Sequence, residues 1–213
     1  MKDLSNYRKS YDKKELLTSA IPNDAMQLFA QWFQEVDAIT SDEANAMTVA
    51  TVGEDGFPKA RIVLLKQFSD DGFVFFTNYD SEKGKAMLAH PQVCLSFFWH
   101  DFERQVIIKG IAQKVAEEVS DNYFQSRPRG SQLGAVVSNQ SEVIPSREIL
   151  EEKLLALEKE FENKAVPRPT NWGGFVVKPL EIEFWQGRPN RLHDRIRYRL
   201  KENASWEIER LAP

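Results

Sequence analysis

The chain has 213 residues, with 28 Lys and Arg against 32 Asp and Glu, for a formal charge of −4. That balance speaks against a general nucleic-acid binder, which carries a basic excess, and 42% hydrophobic with 28% charged residues excludes a disordered chain. One cysteine, Cys94, excludes an internal disulfide framework, and three histidines leave little material for a multi-ligand metal site.

The first twenty residues mix charges throughout and hold no apolar stretch of signal-peptide length. They are expected to form a mobile arm, residues 1–20, ahead of a single domain over residues 21–213. From Asn23 to about Ile39, Met26, Phe29, Trp32 and Val36 recur at helical spacing behind Pro22-Asn23-Asp24, predicting an amphipathic helix with its N-cap there. The pattern then turns to β-rich runs, AMTVATV, ARIVLLKQF and FVFFTN, separated by Glu54-Asp55-Gly56 and Asp70-Asp71-Gly72. Such spacing predicts an antiparallel meander. Ser81 to His90 is a short helix stopped by Pro91, and VCLSFFW and RQVIIKGIAQKVA bring the strands to five. Glu117 to Arg127 is predicted helical, ending before Pro128. Ser146 is expected to cap a longer helix in which Leu150, Leu154, Leu157 and Phe161 follow a 4, 3, 4 spacing. After the stiff loop Val166 to Thr170 come FVVKPLEIEFWQG, expected as two strand segments broken near Pro179, then RIRYRL and SWEIERL. Parallel βαβ alternation is missing, so the prediction is a mainly β fold with helices (α+β), a small antiparallel barrel with helices outside it. No stretch reaches the ~20 apolar residues of a membrane span, and the expected location is cytoplasmic.

The densest positive feature is Gly187 to Arg199, GRPNRLHDRIRYR, with five arginines and one histidine against Asp194 alone. Such a cluster repels itself unless a bound anion or a set of carboxylates compensates it. Arginine's planar fork suits phosphate oxygens, and His193 suits proton transfer or hydrogen-bond donation. The alternative is a solvated hairpin whose arginines pair with Glu181, Glu183, Glu207 and Glu209. In ARIVLLK, Arg61 and Lys66 stand on opposite faces of a regular strand, serving different anions, unless a bulge intervenes; the alternative is a core strand with a charge at each end. Tyr123 to Ser141 mixes Tyr, Arg, Ser and Gln around a proline and two glycines, as a phosphate cradle or as a helix end with a polar connector. Lys83 and Lys85 pose the same choice. Dinucleotide fingerprint, Walker loop and nucleophile elbow are all missing. Cys94 reads as a buried inert thiol, and Trp172 and Trp185 as buried rings.

RIVLLK, FFTNYDSEKGK, ERQVIIKG, YFQSRPRGSQLGAVVSNQS, NWGGFVV, EIEFWQGRPNRLHDRIRYR and ERLAP together resemble the pyridoxamine (pyridoxine) 5′-phosphate oxidase family. The resemblance runs from the arm around Arg8 and Tyr11 to Pro213. It implies a homodimeric FMN-binding split barrel, Greek-key-like and antiparallel with peripheral helices. The implied reaction oxidises pyridoxine 5′-phosphate or pyridoxamine 5′-phosphate to pyridoxal 5′-phosphate with O2, giving hydrogen peroxide, and ammonia from the amine. By the same resemblance Arg61, Ile62, Val63, Leu64, Thr77, Lys83, Gln105, Gln140, Ser141, Trp185 and Arg195 would hold FMN. Lys66, Tyr123, Arg127 and Ser131 would hold the substrate phosphate, Arg191 and His193 would be catalytic over the substrate ring, and Arg8 and Tyr11 would cover it from a mobile arm. The family's FMN site lies at the dimer interface, so two subunits would share each site.

Two departures stand out: Phe76 where many members of the family carry Tyr, and Glu82 where an Arg often precedes the matched Lys83. Neither is placed among the site residues. Competing functions are a split-barrel FMN reductase, against which SRPRGSQ and RLHDR speak, and a non-catalytic pyridoxal phosphate or flavin carrier, which would show no turnover. No nucleic-acid or membrane partner is implied, since aromatic residues are not interleaved with the basic cluster as a stacking platform requires. Charge is also unevenly placed. Glu142 to Glu162 holds seven acids and three bases, whereas Arg188 to Arg199 carries +4.

Overall fold

The computed structural model describes residues 2–40 and 43–213; Met1 of the expected arm lies outside them. Its strands are β1 (Ala46–Val52), β2 (Pro58–Leu64), β3 (Gln67–Ser69), β4 (Gly72–Asn78), β5 (Gln92–Trp99), β6 (Arg104–Lys114), β7 (Trp172–Gln186), β8 (Asp194–Leu200) and β9 (Trp206–Leu211). The helices are α1 (Ala25–Asp37), α2 (Glu82–Ala89), α3 (Glu117–Ser126), α4 (Arg129–Val137) and α5 (Glu148–Glu160). Strand order is β2-β1-β5-β6-β7-β4-β3, with β8 pairing β7 and β9, and the β3–β4, β4–β7, β7–β8 and β8–β9 pairs are antiparallel. This is the mainly β, antiparallel architecture with added helices that the sequence predicts. Among the described residues no helix is long and apolar enough to cross a membrane.

The chain clusters into two compact units. Met1–Thr48, Cys94–Gly110 and Pro179–Pro213 form the first, the arm unit; Val49–Val93 and Ile111–Lys178 form the second, the pocket unit. In the arm unit α1 starts at Asp24, whose carboxylate accepts from the amides of Met26 at 2.6 Å and Gln27 at 3.4 Å, so the expected cap is present. Its apolar stripe packs Phe29 against Phe97 and sets Trp32 edge-on to Phe184, with centroids 5.3 and 5.2 Å apart. Burying rings of that size stabilises the unit by about 2–3 kcal/mol each. Along β8 the period of two sends Ile196 and Tyr198 into the core and leaves the arginines on the other face. There Arg195 pairs with Glu183 at 2.7 Å, Arg197 with Glu209 at 2.7 Å and Arg199 with Glu209 at 3.3 Å. Carboxylates thus compensate the strand arginines, and Arg188 as well, which lies 3.2 Å from Glu15 and 3.6 Å from Asp194; the anion-binding reading narrows to Arg191 and His193 in the loop.

In the pocket unit Phe124, Leu133, Val166 and Trp172 form a buried cluster, against which Leu154, Leu157 and Phe161 pack at the predicted helical spacing. Gly72 turns β3 into β4 with φ +123°, and a Cβ there would meet the Val177 carbonyl oxygen at 2.2 Å, so no other residue fits.

Four expectations are corrected. ARIVLLKQF is not one strand: β2 ends at Leu64 and β3 begins at Gln67, so Arg61 and Lys66 are not held to opposite faces. The stretch after Pro128, read without regular structure as either a phosphate cradle or a polar connector, contains α4, because Leu133 and Val137, four residues apart, bury one helical face. The N-cap of α5 is Arg147 without a side-chain cap, rather than Ser146. β7 runs unbroken through Pro179, since its register with β4 ends at Val177 and that with β8 begins at Glu181, which places the missing proline N–H between the two ladders.

Candidate active site

A cavity of about 750 Å³ opens in the pocket unit. β2 lines it with Arg61, Ile62, Val63 and Leu64, and Lys66 follows just past the strand end; β4 adds Thr77 and α2 adds Lys83. Tyr123 from α3, Arg127 and Ser131 around the start of α4, and Gln140 and Ser141 beyond its end complete the expected set on this side. Arg61 and Lys66 therefore face one cavity.

Two polar clusters divide this lining. In one, Lys83 Nζ donates to Gln140 Oε1 at 2.6 Å and to Ser81 Oγ at 3.2 Å, while Thr77 donates to the same Gln140 oxygen at 3.2 Å. Burial, helped by the Arg61 charge, pushes the Lys83 pKa down to about 8. In the other, Phe76 stacks on Tyr123 at 3.9 Å and on Trp172 at 5.7 Å, and the Arg127 guanidinium lies 4.6 Å from the Trp172 centroid. Phe76 thus serves as a stacking surface, for which it needs no hydroxyl. Gln132 ties down the turn beneath by donating to the carbonyls of Phe124, Gln125 and Arg127 at 3.1, 3.1 and 3.2 Å. Burial lowers the Arg127 pKa, with Tyr123 acting the other way, yet a guanidinium stays charged. Its Nη1 is buried without a hydrogen-bond partner, and such a cation is costly unless an anion arrives.

The other expected residues lie in the arm unit. Arg8, Tyr11, Arg191 and His193 line a second cavity of about 710 Å³ together with Arg188 and Lys9. Trp185 stands beside it, its ring 4.7 Å from His193 and 5.8 Å from Tyr11. Gln105 lines neither cavity and donates to Ser96 at 3.3 Å. Arg195 lines neither as well, its guanidinium being spent on Glu183 and the Ala212 carbonyl. His193 Nδ1 accepts the Arg188 amide at 3.0 Å, which leaves the proton of the neutral ring on Nε2. Burial and the Arg191 charge hold the His193 pKa below the usual histidine value. Asn190 and Arg191 are both left-handed, at φ 57° and 62°, a conformation that costs energy outside glycine and concentrates at functional sites.

What fastens the arm is not marked by any sequence motif. Glu103, 1% exposed, accepts the amides of Asp12 and Lys13 on Oε2 at 3.0 and 3.2 Å, with Lys9 Nζ 3.6 Å from Oε1. Its carbonyl takes the Gly187 amide at 2.7 Å. A Cβ on Gly187 would come within 2.8 Å of the Tyr11 side chain, so this glycine is what lets Tyr11 lie against the loop.

Residues 33–159 match the family described as pyridoxamine 5′-phosphate oxidase, and residues 172–213 match the pyridoxine 5′-phosphate oxidase C-terminal dimerisation region. A Flavobacterium johnsoniae protein named pyridoxine/pyridoxamine 5′-phosphate oxidase is 67% identical, covering 100% of both chains. One of the same name from Christiangramia forsetii is 55% identical over 100% of this chain and 99% of its own. Among solved structures, PhzG from Burkholderia lata 383, in complex with tetrahydrophenazine-1-carboxylic acid, is 27% identical and superposes with a TM-score of 0.88 over 96% of this chain and 100% of its own. A pyridoxamine 5′-phosphate oxidase-related, FMN binding protein from Nostoc punctiforme shares the fold with a TM-score of 0.70 and 14% identity, over 88% of this chain and 96% of its own.

Proposed function

The chain belongs to the pyridoxamine 5′-phosphate oxidase family, and we propose that it is an FMN-dependent oxidase that converts pyridoxine 5′-phosphate or pyridoxamine 5′-phosphate to pyridoxal 5′-phosphate. O2 is the oxidant, hydrogen peroxide the by-product, and ammonia leaves from the amine substrate. The observation that carries this reading is the double polarity of the pocket. One cavity holds Lys83 with its Gln140–Thr77 network and, as a second cationic cluster, Arg127 with a buried unpaired donor. Ile62, Val63 and Leu64 add apolar lining. Such a donor set fits two phosphorylated, flat ligands: FMN at Arg61, Thr77, Lys83, Gln140 and Ser141, and the substrate phosphate at Lys66, Tyr123, Arg127 and Ser131.

Bound FMN supplies the hydride acceptor. The protein contributes position: anchoring the remote phosphate at Lys66 and Arg127 orients the carbon to be oxidised. Arg191 and neutral His193 present two donors, the guanidinium and Nε2–H, to the substrate oxygen or nitrogen, and so stabilise the charge that develops there as its proton passes to solvent and hydride leaves the adjacent carbon. Arg8 and Tyr11 exclude water above it. The matched dimerisation region supports a homodimer; in this reading two subunits would share each site, which would bring Gln105, Trp185 and Arg195 to the cofactor. The test is to purify the protein, record flavin absorbance, and add pyridoxine 5′-phosphate aerobically while following aldehyde and peroxide. Equal amounts of both products are expected; a yellow protein that forms no aldehyde overturns the reading.

A further inference from the structure

Arg61 faces the cavity, yet its guanidinium is already engaged: Nη2 lies 2.9 Å from Glu82 Oε2. The other oxygen of that carboxylate takes Lys59 Nζ at 2.5 Å, and Lys59 also reaches Asp55 at 3.1 Å. Glu82 is the first residue of α2, behind the Ser81 cap, where the positive end of a helix favours an anion. Its amide donates to Ser141 Oγ at 3.3 Å, so backbone and side chain are both fixed beside the Lys83–Gln140 network. The hydrogen bond from Lys59, above all, holds its carboxyl below the usual range, and it is ionised at neutral pH. An internal carboxylate at the start of α2 therefore occupies the arginine that an incoming phosphate would use.

Building on the FMN reading above, we propose that Glu82 is a built-in competitor for the cofactor phosphate, which gains Arg61 only as Glu82 gives it up and falls back on Lys59. No bond to the cofactor is made or broken; the device sets affinity. Lys59 makes the exchange reversible, because the displaced carboxylate keeps one cation and avoids an unpaired state. Arg61 and Glu82 side chains are 57% and 37% exposed, so the competition is modest and screened by salt.

The test is a titration of flavin-free protein with FMN and, separately, with riboflavin, which lacks the phosphate, following flavin fluorescence at low and high salt. Glu82→Gln and Glu82→Ala are each expected to lower the FMN Kd about two- to fivefold at low salt, the size of one exposed ion pair. The gain should shrink at high salt, leave riboflavin unmoved, and vanish when Arg61→Ala is added. An FMN Kd that is unchanged or raised, or a riboflavin Kd that shifts equally, overturns the proposal. Wild-type protein that binds neither flavin overturns the oxidase reading itself, a distinct result.

Discussion

The two cavities are nearly equal in size, about 750 and 710 Å³, but they are built in different ways. Regular elements wall the pocket, and its floor is three parallel rings, Phe76, Tyr123 and Trp172, with the Tyr123 and Trp172 planes only 7° apart. The arm cavity is made from a loop with two successive left-handed residues and from a segment without regular structure held at Glu103. Phosphate anchoring needs fixed charge, which helices and stacked rings supply before any ligand arrives. Contacts next to the reacting carbon must open for substrate, and a clipped segment can do so at small cost. The pocket should therefore govern affinity and the arm unit turnover.

The largest expected effect breaks that division most directly if it fails. His193→Ala and Arg191→Ala should each lower kcat by about a hundredfold or more, the usual worth of a positioned proton-transfer or donor group, while the FMN Kd stays put. Steady-state kinetics normalised to bound flavin decide it; release of FMN with turnover per flavin intact would reverse the assignment. The shared site is tested by mixing. If His193→Ala and Arg127→Ala subunits are unfolded together, refolded and assayed at substrate well below the wild-type KM, where each variant alone is nearly inactive, random pairing of a site built from both subunits restores about a quarter of wild-type activity. A site built within one subunit restores none.

Next in size is the anchoring of phosphate. Arg127→Ala removes a charged donor whose Nη1 awaits an anion. At about 1.5–3 kcal/mol for a charge-assisted hydrogen bond, KM should rise roughly ten- to a hundredfold with kcat much less altered. Lys66→Ala should act in the same direction without releasing flavin. An unchanged KM in both would remove the phosphate from this end of the pocket.

Local order in these elements was legible wherever one residue pattern decided it. AMTVATV became β1 with both ends right, Asp24 capped α1, and the 4, 3, 4 spacing of α5 found its half-buried face. Misreadings arose where distant pairing decided. Whether ARIVLLKQF breaks depends on β3 meeting β4, and that break is what turns Arg61 and Lys66 to one cavity. α4 was hidden because Pro128, Gly130 and Gly134 punctuate the very residues whose Leu133–Val137 pair makes a buried face. Glu103 was out of reach altogether: its partner Asp12 is 91 positions away, and in the sequence it is one acid among many.

That clasp gives a smaller effect, confined to the arm unit. Glu103→Gln keeps the shape but loses the charge toward Lys9, and Gly187→Ala forces Tyr11 off sterically. Both should speed trypsin cleavage at Arg8, Lys9 or Lys13 several-fold and lower kcat a few-fold, with KM and the melting of the remaining chain little changed. Arm cleavage at the wild-type rate in both variants would mean that the arm is not held through this contact.

The smallest effect concerns Lys83 and separates cofactor binding from stability by sign. Its pKa, pushed down to about 8 from the ordinary 10.5 by burial and then by Arg61, against the pull of Glu82, rises again when a phosphate settles beside it. Binding then takes up a proton above about pH 8. The FMN Kd should be flat below that pH and weaken above it, by at most about tenfold per pH unit. Riboflavin should show no such slope, and Lys83→Arg, which stays charged, should flatten it. Folding runs the other way. Between about pH 8 and 10.5 the unfolded chain binds more protons at Lys83 than the native one, so this group's contribution to stability increases with pH over that window. Weaker FMN binding at pH 9 together with an undiminished contribution of Lys83 to stability would locate the titration in the pocket, whereas a parallel loss of both, or a slope shared by riboflavin, would place it elsewhere.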